Sequence, residues 1–188
     1  KIDENREQTA SGLKELYYKE LADHLRSKRF IIVLLLVAVT GLASVYSAGM
    51  GIYEAVNQEG NEFVFLRLFT SSGNSLPSFI SFMSFLGPLV GLALGFDSIN
   101  GERSKGTLSR LISQPIHRDT IINGKFLAGV TVIAIMVFSL GLAIGGLGII
   151  MTGVPPTIEE LARIIVFLIF TVVYMSLWLS VSLLFSLL

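Results

Sequence analysis

Four stretches of this chain run for about a bilayer's thickness with almost no charged side chain, and the polar residues are gathered between them. The apolar runs lie near residues 30–52, 77–96, 124–152 and 161–188. About 20 helical residues, at roughly 1.5 Å each, cross a hydrocarbon core of about 30 Å. The period-two alternation of barrel strands is absent, and backbone polar groups in lipid must be satisfied within their own segment. The pattern therefore predicts an all-α integral membrane protein with at least four transmembrane helices, forming a single transmembrane domain over residues 1–188. The chain opens on a polar stretch unlike a secretory signal. It closes inside "SLWLSVSLLFSLL", so further residues are expected beyond Leu188.

The polar segments have patterns of their own. In "SGLKELYYKELADHLRSKRF", Leu13, Leu16, Tyr17, Leu21 and Leu25 recur at spacings of three and four, with Lys14, Glu15, Lys19, Glu20 and Asp23 on other faces. Residues 1–29 are thus expected to hold an amphipathic helix. It would lie along the inner membrane surface with Arg26, Lys28 and Arg29 near anionic head groups, or pack on a partner protein. The segment 53–76 predicts a short interfacial helix over Phe63–Phe69, with Phe63, Phe65 and Phe69 as anchors at the outer interface. In the turn 153–160, Pro155 and Pro156 stop one helix, and Thr157 with Glu160 forms a capping box for the next.

Charge sets the orientation. Lysine and arginine together number 14, as do aspartate and glutamate. Lys1, Arg6, Lys14, Lys19, Arg26, Lys28 and Arg29 precede the first span, and Arg103, Lys105, Arg110, Arg118 and Lys125 follow the second. Only Arg67 and Arg163 fall on the other side. The positive-inside rule places the N-terminus and residues 97–123 in the cytoplasm of a cell with this protein in its plasma or inner membrane, and residues 53–76 and 153–160 outside.

Composition narrows the chemistry further. With 52% hydrophobic and 15% charged residues, the composition lies far on the apolar side of a water-soluble domain. There is no cysteine, and the two histidines, His24 and His117, are far apart without partners at metal spacing. No Asp, Glu, Lys, Arg or His stands between Ile31 and Gly51, Ser78 and Phe96, or Phe126 and Thr152. An ion-coupled carrier normally keeps such a group at mid-span, and no hydrolytic constellation is present either, so no catalytic residue and no metal site is expected. Gly87, Gly91 and Gly95, and Gly141 with Gly145, repeat every four residues and predict close helix packing, while Pro88 is expected to kink or loosen the second span. The five methionines are scattered and read as packing residues.

The segment 97–123 is too long and patterned for a simple turn. "GERSKGT" spaces its glycines as a phosphate-binding loop does, but Thr107 stands where that loop needs lysine, so ATP is not bound there. A helix near Glu102–Ser113 would gather Leu108, Leu111 and Ile112 on one face and end at Pro115, with Asp119 or Thr120 capping the helix of the third span. Such a helix, apolar on one face and basic at its flanks, suits a partner's groove.

The stretch "FDSINGERSKGTLSRLISQPIHRDTIINGKFLAG" resembles the first cytoplasmic loop of ABC-2-type transporter permeases. Glu102, Arg103, Gly106, Thr107, Leu108, Ser113, Pro115, Arg118, Gly124 and Lys125 match that pattern in order, and "KELADHLRSKRFIIVLLL" is similar to the family's N-terminal connecting helix. The resemblance implies six spans in the family pattern, a second permease copy (identical or not), and separate ATPase subunits that bind ATP and magnesium. It implies a coupling helix in which Glu102, Arg103, Gly106, Thr107, Leu108, Leu111, Ile112, Pro115 and Arg118 contact the ATPase. The implied function is a non-enzymatic permease of an ATP-driven exporter, surrounded by membrane lipids, with no cofactor of its own and no nucleic-acid partner. The alternatives are a membrane scaffold docking a cytoplasmic protein, and a channel or carrier acting alone.

Overall fold

The computed structural model describes residues 2–56, 63–72, 76–104, 118–153 and 155–187, with side chains for residues 12–50, 63, 65–72, 76–96, 120–153 and 155–186. The described residues form six helices: α1 (Ile2–Arg26), α2 (Lys28–Val56), α3 (Val64–Thr70), α4 (Phe79–Ser104), α5 (Arg118–Thr152) and α6 (Ile158–Leu187). Four apolar lengths within them are long enough to cross a membrane: Lys28–Met50, Phe79–Phe96, Thr120–Thr152 and Ile158–Ser186.

The helix ends follow from local chemistry. Ser27 alone separates α1 from α2; its N–H donates to the His24 carbonyl and its own carbonyl accepts the N–H of Ile31. Ser78 caps α4, its hydroxyl oxygen accepting the N–H of Ser81 and its carbonyl that of Phe82. Gly153, at φ 68°, ends α5 in the left-handed conformation and donates to the Ile149 carbonyl. A side chain is strained at that φ, which is why glycine terminates helices there. Helix α5 opens at Arg118, so Asp119 and Thr120 lie inside its first turn and not at its cap.

The chain divides into two compact units. The first comprises Lys1–Ile32, Pro88–Ala134 and Met175–Leu188. Its buried side chains include Leu16, Phe30, Val90, Leu94, Ala128, Val132, Ile133, Met175, Leu179 and Leu183. Small residues let its helices approach. A Cβ at Gly91 would stand 2.7 Å from the Met175 carbonyl oxygen and 2.8 Å from the Trp178 Cβ, and one at Gly95 would collide with the Ser182 side chain. The Ser182 hydroxyl also donates to the Leu92 carbonyl at 3.0 Å, binding α6 to α4.

The second unit comprises Val33–Gly87 and Ile135–Tyr174. Its centre is aromatic: Phe65, Phe69, Phe79 and Phe167 follow one another with ring centroids 6.3, 5.7 and 6.2 Å apart. The edge-on arrangements within this chain are the geometry that aromatic quadrupoles favour. Phe65 and Phe69 are therefore core residues. Their expected place at an outer interface is corrected, because α3 turns them inward. Gly141 lies against Leu168 and Gly148 against Leu68 and Phe65. Gly145 differs from the expected packing seam: a Cβ there would meet nothing within 4 Å. Gly87 is buried.

Candidate functional site

The charged segment that interrupts the apolar pattern is framed by two described helix ends. α4 runs without a break through Pro88 and carries Glu102 and Arg103 in its last turn before Ser104, and α5 opens at Arg118. Glu102 and Arg103 thus continue the same helix as the apolar length before them. Gly106, Thr107, Leu108, Leu111, Ile112 and Pro115 lie outside the described residues, as do the side chains of Glu102, Arg103 and Arg118.

Just beyond Arg118, the opening turns of α5 are clamped by α1. Gly124 makes the approach possible: a Cβ there would stand 2.9 Å from the Leu16 Cδ2 and 3.7 Å from the Leu13 Cδ1. The next residue, Lys125, donates from Nζ to the Glu20 Oε1 at 2.9 Å, and the two side chains are only 3% and 5% exposed. On the same contact, the Tyr17 hydroxyl donates to the Thr131 hydroxyl oxygen at 3.0 Å. Thr131 in turn donates to the Leu127 carbonyl at 2.9 Å. Each hydroxyl proton has one acceptor, so the chain of bonds is complete.

This corrects the expected faces of α1. Glu20 lies on the packed side with Leu16 and buried His24, whereas Leu25 is exposed. Helical spacing explains the sharing of a face, since residues 16, 20 and 24 recur every four. The reason a carboxylate takes an apolar position is Lys125, which needs a counter-charge once α1 covers it. Glu20 also has the Lys19 Nζ 3.6 Å away at the rim. A charge pair removed from water is held by mutual attraction in a low-dielectric setting, and removing one partner leaves the other uncompensated.

The first turn of α6 carries a second polar centre. Glu160 is buried, and its Oε2 accepts the N–H and hydroxyl of Thr157 at 2.9 and 3.0 Å, while the Thr157 hydroxyl oxygen faces the Glu160 N–H at 3.3 Å. Its Oε1 accepts the N–H groups of Phe65 and Leu66 at 2.9 and 3.2 Å. One carboxylate therefore caps two helices, its own and α3. Helix α3 needs this help because its N-cap residue, Phe63, adopts φ 60° and offers no side-chain acceptor. Above the Phe63 ring sits the Arg163 guanidinium, 4.9 Å from the centroid and also paired with Glu159.

Neither centre is arranged for bond-breaking chemistry. Among the described residues no group of three or more His, Cys, Asp or Glu side chains comes together as a metal site would require. What the geometry provides is mechanical: short, charge-assisted or close-packed links between helices. The sequence reading missed Glu20, Tyr17 and Thr131 as a set; the available signal was Lys125 itself, a cation opening an apolar run and needing a partner.

Comparison with known proteins agrees with this architecture. The chain is 38% identical over 117 residues to a probable ABC transporter permease protein NosY of Pseudomonas aeruginosa, an overlap of 62% of this chain and 38% of that one. It is 36% identical over 121 residues to the protein of the same description from Stutzerimonas stutzeri, covering 63% of this chain and 39% of the relative. The chain thus spans under two fifths of the length of the curated relatives it matches. The family described as ABC-2 family transporter protein matches residues 15–188, nearly the whole sequence, with four helices able to span a bilayer, so this integral membrane protein belongs to the ABC-2 transporter family.

Proposed function

We propose that this chain is the membrane-spanning part of a permease subunit in an ATP-driven ABC-2 exporter, and that residues 97–123 couple it to a separate ATPase subunit. The observation that carries this reading is the clamp around Lys125. A force applied to the segment between Ser104 and Arg118 enters α5 at once, and Lys125 with Glu20, Gly124 with Leu16, and Tyr17 with Thr131 pass it to α1. Packed helices with few soft joints move as rigid bodies, which is how a small displacement at one end is transmitted.

Under this reading the N-terminus and the coupling segment face the cytoplasm across a plasma or inner membrane, and Glu102, Arg103, Gly106, Thr107, Leu108, Leu111, Ile112, Pro115 and Arg118 form the contact with the ATPase. A second permease copy completes the pathway, and ATP with magnesium is bound and hydrolysed in the partner. The test is co-purification of the full-length protein with an ATPase subunit, followed by Glu102→Ala and Gly106→Ala. Both variants are expected to insert normally and to lose most permease-dependent stimulation of ATP hydrolysis. Full stimulation in both would remove the coupling assignment.

A further inference from the structure

Pro88 stands near the middle of the apolar length Phe79–Phe96, inside the continuous helix α4. Proline has no N–H, so the carbonyl four residues earlier, that of Ser84, loses its partner within the helix. In hydrocarbon no water replaces that partner, and the carbonyl must be satisfied by protein. The Tyr174 hydroxyl, on α6, donates to the Ser84 carbonyl at 3.0 Å. The Ser84 hydroxyl does not compete, because it donates to the Ile80 carbonyl at 2.9 Å.

The position of Tyr174 supports the same assignment. It lies near the middle of its own apolar length, Ile158–Ser186, whereas tyrosine ordinarily favours the wet membrane interface. At mid-span its hydroxyl needs an acceptor, and the carbonyl released by Pro88 is one. Farther along α4, Gly91 and Gly95 lie so close to α6 that no Cβ fits without displacement of Met175, Trp178 or Ser182.

We propose that Tyr174 is a positioning residue: from α6 it supplies the donor that Pro88 removes from α4, and this bond fixes α4 against α6 at Ser84.

The test is a double-mutant cycle in the full-length protein in lipid nanodiscs. Denaturant unfolding followed by far-ultraviolet circular dichroism reports the ratio of folded to unfolded protein in each variant. With Pro88 present, Tyr174→Phe should lower the ratio of folded to unfolded protein by roughly 3- to 20-fold, the range set by one hydrogen bond between membrane helices. In a Pro88→Ala background the new N–H occupies the Ser84 carbonyl, and Tyr174→Phe should be nearly silent. Equal shifts in both backgrounds, or none in either, would overturn the proposal. Misfolding of Tyr174→Phe that Pro88→Ala rescues supports it, and misfolding in both backgrounds overturns it. The cycle requires no ATPase, so its outcome is separate from that of the Glu102 and Gly106 variants.

Discussion

Lys125 and Glu20, 105 residues apart in sequence, meet at 2.9 Å with both side chains buried. The pair joins α1 to the first turns of α5, beside the Gly124 contact that lets the two helices close. A lysine that flanks a span by sequence is therefore an internal strut by structure.

Removing Lys125 should be costly. Lys125→Ala leaves the Glu20 carboxylate buried without its partner, at about 3–5 kcal/mol. Thermal unfolding in detergent should show a marked fall in Tm, and Glu20→Lys combined with Lys125→Glu should recover part of it. A Lys125→Ala protein as stable as the native one would show that the pair is not held in the membrane.

Glu160 supports two helices at once, so its loss should be felt at a distance. Glu160→Ala removes the acceptor for Thr157, Phe65 and Leu66, two lost caps worth about 1–4 kcal/mol together. Amide exchange within Val64–Thr70 should accelerate markedly, while Glu160→Gln, which keeps one carboxyl oxygen as acceptor, should have a smaller effect. Unchanged exchange in the alanine variant would dissociate α3 from Glu160.

The glycines should sort by their surroundings and not by their spacing. Gly91→Ala forces a Cβ against the Met175 carbonyl, a backbone atom that cannot rotate away, and overpacking of this kind costs about 1–3 kcal/mol. Gly145→Ala meets open space and should be neutral or stabilising by up to about 1 kcal/mol through helix propensity. Relative Tm values of the two variants decide the matter, and equal losses would contradict the packing at Gly91.

Orientation can be read by labelling. In intact cells, cysteine at Gln58 should react with an impermeant maleimide, and cysteine at Ser104 should react only after lysis. The reverse pattern would invert the proposed topology and place the coupling segment outside.

Much of the fold was legible because its signals are local. An apolar run of membrane length specifies a helix regardless of its neighbours, and four such helices are present. The turn between α5 and α6 was equally legible, since Thr157 and Glu160 sit three residues apart and bond to each other as that spacing requires. The helix over Phe63–Phe69 was readable as an element, but the direction of its rings was not: Phe65 and Phe69 turn inward because Glu160 and the Phe79 and Phe167 rings await them there. As for the candidate site, the position of Gly124 and Lys125 was visible in the motif, and their partners were not.

The chain alone thus determined that this is an all-helical membrane protein with a charged segment set between its second and third apolar runs, because bilayer thickness and helix rise convert run length directly into structure. Only the tertiary structure decided which polar groups meet: Glu20 with Lys125, Glu160 with Phe65, Tyr174 with the carbonyl that Pro88 frees. Those pairings join residues about 90 or more positions apart. A group withdrawn from water must find its partner in space, and no spacing along the sequence states where that partner will be.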